Sequence, residues 1–487
     1  MAGDHQITAI VGARVIDGLS RNPIEKGTVV IEGDRIAAVG KDTAVQIPRG
    51  AKALDAAGRT VLPGIIDCHV HSTYRSRDIR KHLQNTPTYN VLRSTHILEE
   101  TLACGVTTAR DMGGADAGFR EAIAEGFIKG PRLLISIAMI SQTGGHGDSW
   151  VPAGLRLQKR AWLPSGVVDG PEEMRKLVRT LLMAGADFIK ICTTGGITSL
   201  TDSWDEPQLA VDEIRTAVAE ARAKRKGVAV HAEGLDGIRN ALTADIHSLE
   251  HGWFLDEACV DHMIKRGIWW VPTLALVPLS VERHKADPAW SSQQLAKEDD
   301  KDTAIYAAMQ KQIPLWKDAV RRGIKVAMGT DQSHRLLVGE NLVELEFMVK
   351  CLGMSEMDTI VAAGDTLDEC FRAAADATLA VMLANPDALQ HQEHRTVHVE
   401  NDALDLALLN FLEELVYYKD AECLLLAATT VRVVQREGRW SVDAVLAGEA
   451  VDASRHELSA DVKAVTVHRL NVQRTDRGWE ASVVLDV

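Results

Sequence analysis

The sequence predicts a (β/α)₈ barrel carrying a small N-terminal β domain and followed by a separate α+β unit. Three observations lead there. Apolar strand-like runs alternate with amphipathic helical runs from Pro63 to about residue 363. The chain before Pro63 reads as short strands broken by Gly and Asp turns such as Glu32-Gly-Asp34. The chain after Gly364 changes character, to a helix, a strand, a second helix and then a run of strands. The expected boundaries are therefore 1–62, 63–363 and 364–487.

Composition sets the outer limits. The chain has 487 residues, enough for two or three domains with a large core. Its formal net charge of -14 argues against non-specific nucleic-acid binding by the barrel. The start, Met1-Ala-Gly-Asp-His-Gln, has no basic region followed by a long apolar one, so no signal peptide is expected. No apolar stretch approaches the ~20 residues of a membrane span. Seven scattered cysteines with no CxxC pair are the pattern of reduced thiols, and a cytoplasmic location is expected.

In order, the first part offers strands at Ile7–Val11, Thr28–Glu32 and Ile36–Val39, a scaffold with no visible chemistry. The barrel strands are expected at 65–70, 106–110, 133–140, 188–192, 228–231, 246–250, 268–272 and 325–328. Helices at 171–183 and 211–224 lie between them; the latter repeats Val211, Ile214, Val218 and Ala221 at helical spacing. A doubly wound open sheet is the rival architecture, but no Gly-rich phosphate loop opens the first helix. The charged run Glu282–Ala304 reads as a solvated loop or lid.

Barrel sites gather at the C-terminal ends of the strands, and these ends carry chemistry. Strand one ends in His69-Val-His71; residues i and i+2 of a strand share a face, so the two rings project together, spaced for one metal ion. Strand four, Phe188-Ile-Lys-Ile-Cys192, places Lys190 in an apolar run. Strands five and six end at His231 and His251, and strand eight at Met328-Gly-Thr-Asp331. A single such histidine would more often be structural, Lys190 a buried ion-pair partner, and Asp331 a turn or cap residue. Together, in this order, they point to a metal site. His146, in the loop after strand three, faces the same barrel end and could stabilise an oxyanion or hold a carboxylate; a solvated loop histidine is the alternative. Arg110 and Asp111 read as a structural pair, and Tyr74, Arg75 and His334 are expected near the mouth.

These residues resemble the amidohydrolase superfamily over about residues 7–362. The segments Ser141-Gln-Thr-Gly-Gly-His146, Ile189-Lys-Ile-Cys-Thr-Thr-Gly-Gly196 and Ser248-Leu-Glu-His-Gly252 look like its prolidase-like and imidazolonepropionase-like branch. That branch contains dipeptide-cleaving carboxypeptidases, imidazolone-propionate hydrolases and mycotoxin amidases. The resemblance implies two divalent metal ions, with zinc expected. His69 and His71 would bind one and His231 and His251 the other. Lys190, carboxylated by CO₂, would bridge them, and Asp331 would ligate the first ion and act as base. Only a neutral amine forms a carbamate, and burial of Lys190 favours that form.

The C-terminal part resembles archease, the small activator of the tRNA-splicing RNA ligase. The carrying motifs are Gly364-Asp-Thr-Leu-Asp-Glu-Cys-Phe371, Phe411-Leu-Glu-Glu-Leu-Val-Tyr-Tyr-Lys-Asp420, Asp461-Val-Lys-Ala-Val-Thr-Val-His468 and Val483-Val-Leu-Asp-Val487. The resemblance implies a metal held near Asp486 and Val487. The family's N-terminal acidic strand is missing; Asp358 lies nearby with a spacing one residue short. The expectation is thus a metal-dependent hydrolase of an amide or peptide bond, acting on a dipeptide or other small molecule as a homo-oligomer. The alternative is an RNA-ligase accessory protein, or a fusion of the two, with an RNA ligase as partner of the C-terminal segment.

Overall fold

The structure is a computed structural model that describes residues 7–17, 23–73, 85–148, 150–151, 154–156, 164–197, 202–286, 298–333 and 336–362. In the C-terminal part it describes residues 371–383 in part, 389–390, 392–436, 439–452, 455–456, 458, 462–475 and 478–486. The chain divides into two compact units, residues 64–363 and residues 1–63 together with 364–487.

The N-terminal strands are β1 (Ile7–Val15), β2 (Ile24–Glu32), β3 (Arg35–Lys41), β4 (Lys52–Asp55) and β5 (Thr60–Val61). They form an open sheet in the order β3-β2-β1-β4, with β5 also on β1. Ala13, Val15, Val29 and Ala56 make its small core.

The barrel unit holds β6 (Ile65–Val70), β7 (Val106–Asp111), β8 (Arg132–Ile135), β9 (Met139–Ile140), a hairpin of β10 (Trp150–Val151) and β11 (Leu155–Arg156), and then β12 (Ile189–Cys192), β13 (Val228–Ala232), β14 (Ser248–His251), β15 (Trp269–Val271) and β16 (Lys325–Val326). All but the hairpin pair in parallel. The ladder falls into a three-stranded sheet, β6-β7-β8, and a six-stranded sheet, β16-β15-β14-β13-β12-β9, so an unbroken eight-stranded ring is not formed. The break lies in strand three, which the sequence presents as one run. Ile137 takes a left-handed φ of 69°, and the chain turns there, with Ala138 N donating to Ser136 O. Strands eight and one do meet. Cys68 N donates to Met328 O, His71 N to Gln332 O and Asp331 N to His69 O, at 2.7–2.9 Å.

The crossover helices are α1 (Pro87–Ala103), α2 (Ala117–Ala124), α3 (Pro171–Met183), α4 (Val211–Ala223), α5 (Leu235–Leu242), α6 (Glu257–Arg266), α7 (Leu276–Ala286), α8 (Glu298–Arg321), α9 (Val343–Phe347) and α10 (Glu356–Ala362). Helix α3 shows why such segments fold: Pro171 opens it, Glu172 and Glu173 face its positive end, and Met174, Val178 and Leu181 bury one stripe. The loop expected over 282–304 is corrected at both ends, where α7 and α8 run into it. Its Glu, Lys, Ala and Gln residues are good helix formers, and charge alone marked solvent, not irregular backbone. Residues 287–297 lie outside the described residues.

The C-terminal part contains β17 (Glu393–Asn401), α11 (Leu404–Glu422), β18 (Leu424–Arg436), β19 (Arg439–Ala450), β20 (Ala464–Thr475) and β21 (Gly478–Asp486). β19 lies between β17 and β18, antiparallel to both, and β20 and β21 form a hairpin. Phe411, Leu412 and Leu415 of α11 fill a second core with Val433, Val442 and Leu446. Of the helix expected at 364–382, the described residues from Phe371 to Met382 are helical; its cap at Asp365 or Thr366 lies outside them.

Candidate metal centre

Seven residues singled out from the sequence line one small pocket at the C-terminal strand ends: His69, His71, His146, Lys190, His231, His251 and Asp331. Glu233, Met139, Ile197 and Leu276 complete the lining. Glycine makes the close approach possible at one wall. A Cβ on Gly329 would collide with Val271 and with His69, so strand eight can lie against strand one only without a side chain there.

The donors form two groups. His69, His71 and Asp331 offer ligand atoms within 4.8 Å of one another, and so do His231, Glu233 and His251. Asp331 Oδ1 lies 3.3 Å from His71 Nε2 and 3.6 Å from His69 Nε2. Both Asp331 and His251 hold left-handed backbone, at φ 53° and 66°. Left-handed backbone is uncommon outside glycine, although aspartate and histidine adopt it more readily than most residues.

Second partners fix the rings. His69 Nδ1 is 2.9 Å from Glu250 Oε2, and His71 Nδ1 is 3.2 Å from Gly113 O. A carboxylate or carbonyl oxygen only accepts, so both rings donate from Nδ1, which turns their Nε2 edges to Asp331. His251 Nδ1 is bonded to Thr273 Oγ1 at 2.7 Å. The rings of His146 and His231 stack at 4.2 Å. Gly196 lies against the His146 ring, where any Cβ would clash.

Electrostatics follow from burial. Desolvation pushes the pKa of His69 down and those of His231 and His251 well below the usual imidazole value; the Lys190 charge acts in the same sense. Burial also lowers Lys190, against the pull of Glu250 and Asp331. Its Nζ, in a side chain 1% exposed, has no hydrogen-bond partner among the described residues. Burial drives Asp331 upward, but hydrogen bonding to His71 and the nearby imidazoles hold it below the usual carboxylate range. Burial thus disfavours the charged forms of His69, His231, His251 and Lys190 while Asp331 is kept ionised, and imidazoles with a carboxylate are donors that divalent metals take. The residues fit a two-ion centre.

Three residues, Glu250 and Asp67 beneath the pocket and Glu233 in its lining, escape a sequence reading. Glu250 is fully buried, bonded to Arg110 at 2.7 Å and to Ser248 at 2.5 Å. Asp67 takes backbone N–H bonds from His69 and Thr330 at 3.1 Å, with the Thr330 hydroxyl at 2.6 Å. Glu233 follows His231 by two positions. The signal available was a charged residue within or just past a buried strand, two positions from a candidate ligand for Asp67 and Glu233 and next to one for Glu250. Arg110 and Asp111 are corrected as a pair: Arg110 goes to Glu250, while Asp111 accepts from the backbone of Ser72, Gly113 and Ala115. Tyr74, Arg75, His334 and Val487 lie outside the described residues. Asp486 is the last residue of β21. Asp358 sits in the first turn of α10, hydrogen-bonded to Ser355, and not on a strand.

Fold and pocket together set a cluster of metal-competent donors at the C-terminal strand ends of a parallel α/β unit. The amidohydrolase family model matches residues 60–387, and the chain belongs to that family. The archease protein family model matches residues 358–487. Ochratoxinase of Aspergillus niger is 30% identical over 378 residues, 74% of this chain and 75% of that protein. Protein archease of Pyrococcus furiosus is 34% identical over 125 residues, 26% of this chain and 87% of that one. Among solved structures, a Xaa-Pro dipeptidase with bound methionine in the active site is 29% identical with a TM-score of 0.65, over 74% of this chain and 87% of that one. The A. niger ochratoxinase structure is 28% identical with a TM-score of 0.61, over 74% and 83% of the two chains. Among the described residues no helix is long and apolar enough to cross a membrane.

Proposed function

We propose that the barrel cleaves an amide or peptide bond, in an Xaa dipeptide or a related amide or cyclic amide, with two divalent metal ions. The observation that carries this is the pair of donor groups flanking buried Lys190 in one pocket. The likeness to ochratoxinase and to a Xaa-Pro dipeptidase supports the same reaction class. His69, His71 and Asp331 would hold one ion, His231 and His251 the other, and Lys190, as its carbamate, would bridge them. Zinc suits this donor set. When bound, the ions would activate one water and polarise the scissile carbonyl.

The chain's own residues do the rest. Asp331, ionised in the pocket, takes the proton of the attacking water and passes it to the leaving amine. His146, stacked on His231, would donate to the developing oxyanion or hold a substrate carboxylate. Met139, Ile197 and Leu276 give the pocket an apolar side. The enzyme is read as a cytoplasmic homo-oligomer acting on a small molecule.

The test is elemental analysis of wild type, beside hydrolysis of a dipeptide and N-acyl amino-acid library. About two ions per chain are expected, with activity lost to a chelator and restored by Zn²⁺. Asp331→Asn should lower kcat by roughly 10²-fold or more. A well-folded protein that binds no metal, or hydrolyses amides regardless of chelation, would overturn the reading.

A second reading belongs to the C-terminal segment alone. Its match to the archease family supports a role as accessory of an RNA ligase. Salt-sensitive binding to such a ligase tests it; no binding at low salt would remove it.

A further inference from the structure

The structure assigns Glu233 as a third protein ligand of the second metal ion, completing with His231 and His251 a cation site that does not depend on Lys190. This rests on the two-metal reading above and changes its ligand set, in which that ion has two histidines and the bridge alone.

Placement comes first. β13 ends at Ala232, and Glu233 follows His231 by two residues, so both side chains leave the strand end on one side. His231-Ala-Glu233 thus repeats in strand five what His69-Val-His71 does in strand one. The outcome is two groups of equal composition, His69, His71 and Asp331 against His231, His251 and Glu233, each two imidazoles and one carboxylate. Two histidines and one glutamate are by themselves a competent zinc set with an open position for water or substrate.

Geometry and burial agree. His231, Glu233 and His251 are 3%, 2% and 3% exposed, and Glu233 Oε1 lies 3.8 Å from His231 Nε2. An ion between donors at such separations needs only a small inward shift of each side chain to reach bonds of about 2.0–2.2 Å. The backbone beneath is pinned. Glu233 N donates to Thr194 Oγ1 at 3.0 Å, and Gly252 N, next to His251, donates to Ala232 O at 2.9 Å. His231 Nε2 also lies 3.0 Å from Gly195 O, so ligation through Nε2 requires the ring proton to move to Nδ1. Charge argues the same way. A dication held by two neutral imidazoles leaves two positive charges in a buried pocket. A carboxylate ligand halves that before any bridge forms.

The experiment is Zn²⁺ titration of the chelator-stripped full-length protein by calorimetry, with Co²⁺ absorption spectra as a second readout. In Glu233→Gln, which keeps shape and removes charge, the second ion should bind at least ~10-fold more weakly and the first as in wild type. Glu233→Asp should fall between them. Lys190→Ala should still take up a second ion, and Lys190→Ala/Glu233→Gln should not. Far-UV circular dichroism establishes that each variant is folded. If wild type binds two ions and Glu233→Gln binds both with unchanged affinity, the assignment is wrong and the two-metal reading stands. Unchanged metal binding with a raised KM for amine-bearing substrates would likewise overturn it, placing the carboxylate on the substrate. If wild type binds no Zn²⁺, both fall.

Discussion

His69 is engaged at both ring nitrogens, and each contact has a distinct consequence. Its Nε2 side faces Asp331, while Nδ1 rests on Glu250, itself held by Arg110 and Ser248. Burial raises the Glu250 carboxyl, but the Arg110 charge and the His69 hydrogen bond bring it below the usual range, so it stays an acceptor and holds the His69 proton on Nδ1. Glu250→Gln should weaken binding of the first ion by about 10–100-fold, read as a Zn²⁺ dissociation constant. An unchanged constant would remove this positioning role. At this scale the sequence is legible where residue type and strand end coincide, as at His231, His251 and Asp331. It is opaque for Glu250 and Asp67, because the reason a carboxylate is tolerated inside a buried strand is a partner distant in sequence. Arg110 is 140 residues from Glu250.

Elements are tied together by a few buried polar side chains. Glu344, in α9, accepts the backbone N–H groups of Leu274 and Ala275, at 2.7 and 2.8 Å, just before α7 begins. It thereby satisfies donors that strand seven's exit would leave unbonded. Burial pushes its carboxyl up to about 8, with the two N–H bonds and the Asp67 charge as smaller influences. The folded value exceeds the unfolded one, so the native state holds a proton that the unfolded chain has lost. Stability from this group is full below about 4.5 and lost as pH rises through about 8. Denaturant unfolding of Glu344→Gln should show a shallower fall over that window than wild type, by on the order of 1 kcal/mol per pH unit, whatever offset the lost acceptor adds. Parallel slopes would disprove it. Helices with a clear apolar stripe, such as α3 and α4, were legible at this scale. The extent of α8 was not, because its buried residues Ile305, Met309 and Trp316 begin beyond the charged run. The break in strand three was hidden too, since Ile137 is a good strand former whose left-handed backbone is imposed by its surroundings.

The whole molecule has more than one core. The barrel core includes the buried Trp253, Trp270 and Trp316, and the C-terminal part has its own core around Phe371 and Phe411. The two family models overlap at residues 358–387, the place where the sequence changes character. Motifs made both families legible because each spans a strand end or a helix with its chemistry. Ladder continuity was not legible, since it depends on local backbone turns and not on residue pattern. Calorimetry should resolve at least two unfolding transitions. Zn²⁺ at about 100 times its dissociation constant should raise the one that exposes the barrel tryptophans, by about 2.7 kcal/mol. A single transition, or an equal rise in both, would count against independent cores.

The amine of Lys190 has a consequence of its own. Exposed lysines meet small electrophiles almost wholly as ammonium ions, and so react slowly. Lys190 sits in the core with a lowered pKa and no hydrogen bond to its nitrogen. Burial thus disfavours its ammonium form, and the uncharged amine is the form that attacks small electrophiles. Cyanate, linear like carbon dioxide, would leave an uncharged urea in place of the proposed carbamate. If Lys190 takes up the proposed anionic bridge from dissolved gas, the same amine is open to irreversible capture by cyanate.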